Sequence, residues 1–171
     1  MKRAKKIAWE DAKSVAENAR RELPRRTAPY FQAGRKLVTS KMSTKALHRF
    51  RLETKRFRYS LELFVPVYGP GLERRLASLR WIQDCLGEIN DCVTTRRLLM
   101  AGRKQARGPL ARLLVRLDRL VETKRRQFAR HWQTSFDAPG QVEKWEQYLS
   151  RFAGRVGGAQ RAPEPEPEAE A

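Results

Sequence analysis

Residues 47–64 read LHRFRLETKRFRYSLELF. Phe50, Phe57, Leu61 and Phe64 recur at intervals of three, four and seven, the period of one face of an α-helix. The helix is expected to start at Ser43 or Thr44, either of which can cap its first amides, and to end before Pro66. Within it His48, Arg51, Lys55 and Arg58 follow the spacing i, i+3, i+7 and i+10 and share a second face. Lys45 and Lys41 continue the line if the helix extends upstream, and Arg56 lies beside it. The phenylalanines are expected on the side opposite the bases, as core residues and not as platforms for stacked nucleobases. From His48 to Arg58 the basic face runs about 15 Å at 1.5 Å per residue, long enough to meet several phosphates in succession. A solvated helix face normally mixes signs in i, i+4 pairs, whereas here only Glu53 and Glu62 oppose the bases. A face for binding phosphates is therefore favoured over a merely wet one.

Outward from this helix the same period continues, and no β-branched run with strict alternation interrupts it. A helix is expected from Ile7 to Leu23, ended by Pro24, and another from Ala28 to Thr39. After the turn of Tyr68 to Gly71 a long helix from Leu72 to Met100 carries Leu72, Leu76, Leu79, Ile82, Leu86, Ile89 and Val93 in one stripe. A fifth begins at Pro109 and should turn Leu110, Leu113, Leu114, Leu117, Leu120, Val121 and Phe128 inward; a sixth covers Gln141 to Phe152. The fold expected is all-α, an antiparallel bundle of about six helices joined by short turns. Residues 5–156 form one helical domain in this reading, and residues 157–171, ending APEPEPEAEA, form a disordered acidic tail with nothing to anchor in a core.

Composition agrees with an anion-binding role. Among 171 residues, 37 Lys and Arg stand against 19 Asp and Glu, a net charge of +18, and the glutamates of the tail make the remainder more basic still. Such a charge attracts nucleic acid, an anionic surface or a phosphate polymer alike. The basic opening MKRAKKIAWEDAK meets acids at Glu10 and Asp11 before any apolar run, and no stretch approaches the 18 or more apolar residues of a membrane span, so a cytoplasmic protein is expected. Cys85 and Cys92 lie on one helix about 10 Å apart along its axis, too far for a disulfide, and are read as small buried hydrophobes.

The stretch HRFRLETKRFRYSLELF, with His48 and Arg51 followed by Lys55, Arg56, Arg58 and Tyr59, resembles the CHAD domain, the conserved histidine α-helical domain. LRWIQDCLGEINDCVTTRRLL resembles that family's next helix, with its L-G-x-x-N-D at Leu86, Gly87, Asn90 and Asp91. The outline extends over about residues 5 to 155, the sharp motifs over residues 46 to 100. The resemblance implies a helical domain that binds inorganic polyphosphate through the histidine and the bases, on polyphosphate granules or beside triphosphate-cleaving domains. It also implies two bundles, each with a basic helix, whereas this chain shows one four-helix-bundle-type repeat with one full motif. Whether one bundle suffices or a homodimer restores the pair is left open.

Other residues enter with less weight. Arg112, Arg116, Arg119, Arg126 and Arg130 share one face of the fifth helix and either extend the anion surface or form its ordinary wet side. Arg80, Asp84, Gly87 and Asp91 make a stripe on the long helix in which Arg80 and Asp84 can pair, Gly87 allows close approach, and Asp91 orients a basic side chain of the third helix. His131 is read as a boundary residue, favourable when charged at a helix end. There is no glycine-rich phosphate loop, no H-E-x-x-H and no cluster of acids and histidines for a metal, so neither enzyme activity, a cofactor nor a metal is expected. The expectation is a non-catalytic polyphosphate-binding domain, with sequence-independent RNA or DNA binding as the alternative and nucleic acid as a competitor ligand.

Overall fold

The computed structural model describes residues 8–151 of the chain. Its elements are α-helices α1 (Val15–Glu22), α2 (Pro24–Val38), α3 (Thr44–Glu62), α4 (Val65–Tyr68), α5 (Pro70–Met100), α6 (Gly108–His131) and α7 (Gln141–Arg151), with a π-helical turn, Trp132–Phe136, at the end of α6. The single turn α4 apart, these are the six helices expected, and no strand occurs among the described residues. The acidic tail lies outside the described residues.

Each boundary has a local cause. Helix α1 begins at Val15, not at Ile7, because Ser14 caps it in a reciprocal box with Glu17. The segment before Ser14 is instead gathered by Asn18, whose amide donates to the carbonyls of Glu10, Lys13 and Ser14 and whose Oδ1 accepts from the Glu10 amide. Pro24 does not merely stop α1. It opens α2 at the first turn, where its missing N–H costs nothing. The Ser43 hydroxyl caps α3 at the Ala46 amide, as expected.

The core is aromatic. Tyr30 of α2 stacks on Phe50 and Phe57 of α3 with centroids 5.3 and 4.5 Å away, and Phe31 stacks on Phe136 at 4.9 Å. The wide π turn lets Trp132 and Phe136, four residues apart, both point into this cluster, their rings 4.8 Å apart. Trp132 is 1% exposed and its indole lies directly over Gly34 of α2. Its Nε1 donates to Asp137, which also takes both arms of Arg35 at 2.7 Å. Helix α7 closes the far end, where Tyr68 donates to the Leu149 carbonyl and Tyr148 donates to the Tyr68 carbonyl.

Helix α5 is the axis that positions the site. At 31 residues it is about 46 Å long, with α3 antiparallel on one side and α6 antiparallel on another. Contacts of Glu62 with Arg80, Arg58 with Gln83 and His48 with Asn90 set the first register; Trp81 on His131, Glu88 with Lys124 and Arg96 with Asp118 set the second. Because α3 begins at Thr44, abreast of residues just past Asn90, the last turns of α5 and the first of α6 run beyond it. This corrects the inward face expected for α6. Leu114, Val121 and Phe128 are buried, Leu110 and Leu117 half-buried, and Leu113 and Leu120 are exposed, for want of a third helix to cover them.

Candidate anion-binding site

Helix α3 buries Leu47, Phe50, Thr54, Phe57 and Leu61. At about 100° per residue, His48, Arg51, Lys55 and Arg58 are centred about 100° round the axis from that face, not opposite it. The basic stripe is therefore a flank of α3, and it is the flank turned toward α5. Lys45 and Arg56 stand exposed on its outer edge. Lys41 departs from the expected line. It precedes the helix in a turn where Met42 takes a φ of 42°, so no helical spacing relates Lys41 to His48.

The opposing wall of this seam comes from α5, and it is made of Arg80, Gln83, Gly87 and Asn90. These repeat the spacing of His48, Arg51, Lys55 and Arg58, running the other way. The Asn90 amide donates to Asp91 at 3.5 Å, which turns its Oδ1 to accept from His48 Nδ1 at 3.1 Å and leaves Nε2 of the imidazole for a ligand. Gln83 accepts from Arg58 Nε at 3.0 Å, and Arg58 also pairs with Glu62. Gln83 carries no signal in the sequence, and Asn90 stands there only as a member of the L-G-x-x-N-D motif, with no role of its own. Of the expected stripe, Arg80 and Gly87 belong to this wall, whereas Asp84 and Asp91 lie one position round the helix from Gln83 and Asn90 and are exposed. Arg80 pairs with Glu62 and Glu73 rather than Asp84, and Asp91 orients His48 only through Asn90.

Gly87 lies under Arg51, but a Cβ there would be 3.9 Å from Arg51 Nε, ordinary contact. Close approach does not require glycine at this position. Gly87→Ala is expected to fold normally and to raise the unfolding free energy by about 0.5–1 kcal/mol, the usual preference of a helix interior for alanine. A thermal melt checks this, and a loss of stability would mean that Arg51 is held more tightly than the distance implies.

Tyr59, on the outer side of the stripe, is exposed and has the Arg58 guanidinium 4.5 Å above its ring. Past the His48 end, the seam opens into a cleft of about 790 Å³ between Thr44, the last turns of α5 and the body of α6. Arg96, Arg97 and Arg125 line it over a floor of Val93, Met100 and Val121. Arg96 is paired with Asp118 and Arg125 with Glu122. Arg112, Arg116, Arg119, Arg126 and Arg130 share an exposed face of α6 about 180° from Leu114, Val121 and Phe128. That face points away from the core and is separate from the seam.

His131 also departs from expectation. Its ring stacks on Trp81 at 3.8 Å, and burial pushes its pKa below the ordinary value of 6.5, so the neutral form is favoured there. Cys85 is buried and its thiol is pushed up to about 11, while Cys92 is half-buried; both are free thiols. No group of His, Cys, Asp and Glu that could hold a metal occurs among the described residues, and no helix among them is long and apolar enough to cross a membrane.

The seam is therefore a half-buried cationic track with amide oxygens fixing two of its bases, suited to a ligand with anions in linear succession. The family model of the CHAD domain matches residues 2–100, which end with α5. No curated protein and no solved structure matches the chain.

Proposed function

The chain belongs to the CHAD domain family, and from that premise we propose that it binds inorganic polyphosphate along the seam between α3 and α5. The family is associated in general with polyphosphate-related proteins. The observation that carries the reading is the seam itself: His48, Arg51, Lys55 and Arg58 turned toward Gln83, Gly87 and Asn90, with two of the bases oriented by amide oxygens. Orientation of this kind favours regularly spaced phosphates over anions at irregular intervals, because the donors are held before the ligand arrives. Lys45, Arg56 and Lys41 add charge at the edge. The role is binding and scaffolding, at a polyphosphate granule for example, and not catalysis.

A general affinity for nucleic acid is the competing account, since the net charge of +18 serves both. The test is competition of labelled polyphosphate with unlabelled RNA at equal phosphate concentration in about 0.15 M salt, where purely electrostatic binding is already much weakened. Polyphosphate is expected to stay bound. Displacement by RNA phosphate for phosphate would reduce the seam to a general polyanion surface.

A further inference from the structure

At the Arg58 end the seam closes around a carboxylate. Arg58 of α3 and Arg80 of α5 both reach the same oxygen of Glu62, Arg80 from 3.7 Å, while Arg80 also lies 3.5 Å from Glu73. Gln83 holds Arg58 from the other side through Nε, so the Nη edge of the guanidinium is aimed at the Glu62 oxygen. Two guanidiniums from two helices thus converge on one anionic group, with only 13% of the Arg58 side chain exposed against 47% for Arg80. Beyond this point α3 ends, and Leu63 stands in solvent. The track has one end that stops at a paired-arginine seat and another, at Thr44, that opens into a cleft.

Resting on the polyphosphate reading, we propose that the Arg58–Arg80 pair is the seat for the terminal phosphate of a linear chain, and that the Glu62 carboxylate holds the seat in the free protein. An end phosphate carries more negative charge than an internal one, because its second ionisation lies near neutral pH. Two convergent guanidiniums reward that extra charge through charge-assisted hydrogen bonds. Glu62 accepts those same donors and must swing aside for the ligand, so it opposes binding while keeping the arginines in position. Arg80, outside the basic stripe of α3, becomes a specificity-determining residue.

The experiment compares linear tripolyphosphate with cyclic trimetaphosphate, which has no chain end, by calorimetric titration onto the full chain at about 0.15 M salt. Glu62→Gln is expected to tighten the linear ligand about tenfold, the worth of one charge-assisted hydrogen bond, and the cyclic one about twofold. Glu53→Gln, which removes the same charge from another flank of α3, gives the twofold effect for both. Adding Arg80→Gln to Glu62→Gln abolishes the gain for the linear ligand. Equal gains for the linear and cyclic ligands, or a Glu62→Gln gain no greater than that of Glu53→Gln, would overturn the seat while leaving long-chain binding by the unaltered protein intact. If the unaltered protein fails to bind long-chain polyphosphate under the same conditions, the reading beneath the proposal falls and the seat falls with it. Since Glu62→Gln could loosen the end of α3, Arg80→Gln alone serves as a second variant; it is expected to weaken the linear ligand about fivefold more than the cyclic one, and equal losses would likewise reject the seat.

Discussion

With Lys45, Arg51 and Lys55 all replaced by glutamine, the protein is expected to keep its fold and bind long-chain polyphosphate about a hundredfold more weakly at about 0.15 M salt. None of the three makes an ion pair among the described residues, so their removal leaves no carboxylate stranded. Glutamine keeps part of the aliphatic stem, so that packing of residue 51 over Gly87 survives in part. Mutual repulsion among cations at helical spacing also falls, and the melting temperature should stay level or rise slightly. The salt dependence supplies the sharper reading. Each lost phosphate contact removes about 0.7 from the slope of log K against log salt, so the triple variant should show a slope shallower by about two. An unchanged slope would mean that the ligand is bound elsewhere, with the exposed arginine face of α6 as the first place to look.

Gly34→Ala is expected to destabilise the protein by about 3 kcal/mol or more in urea unfolding. A Cβ at residue 34 would be 2.0 Å from Cζ2 and 2.2 Å from Cη2 of Trp132, far inside contact distance. The indole cannot retreat easily. It is 1% exposed, is packed by Tyr30, Phe31, Phe50, Phe128 and Phe136, and is tied by Nε1 to Asp137. Alanine would otherwise favour a helix interior by about 1 kcal/mol, so the steric term must exceed that gain before any loss is seen. Shortening the indole should recover part of the loss, and the double variant Gly34→Ala with Trp132→Phe is expected to be more stable than the sum of the two single effects. Strict additivity would show that the two residues do not meet.

The contrast between Gly34 and Gly87 shows where one-dimensional reading ends. Both are glycines in helices, and spacing suggested a packing role for Gly87, where the structure leaves room for a methyl group. Gly34, which no pattern in the sequence marks, has a fully buried tryptophan against it. A glycine becomes irreplaceable through what lies opposite, and the residue opposite Gly34 is 98 positions away.

The helices themselves were legible because their signals are local. The period of Phe50, Phe57 and Leu61, the apolar stripe that starts at Leu72, the Ser43 cap and the first-turn Pro109 act within one or two turns, so α3, α5 and α6 fall close to their expected limits. The basic stripe was legible for the same reason, since spacing on one helix determines which side chains share a face. What the chain by itself determined, then, is an all-α bundle of strongly basic character with His48, Arg51, Lys55 and Arg58 in line. Tertiary structure alone decided that this line is a flank and not a back, that Asn90 and Gln83 rather than Asp91 and Asp84 face it, and that Glu62 gathers arginines from two helices. A shift of one residue turns a helix by about 100°, and only the packing of α3 against α5 determines which position of α5 meets which base.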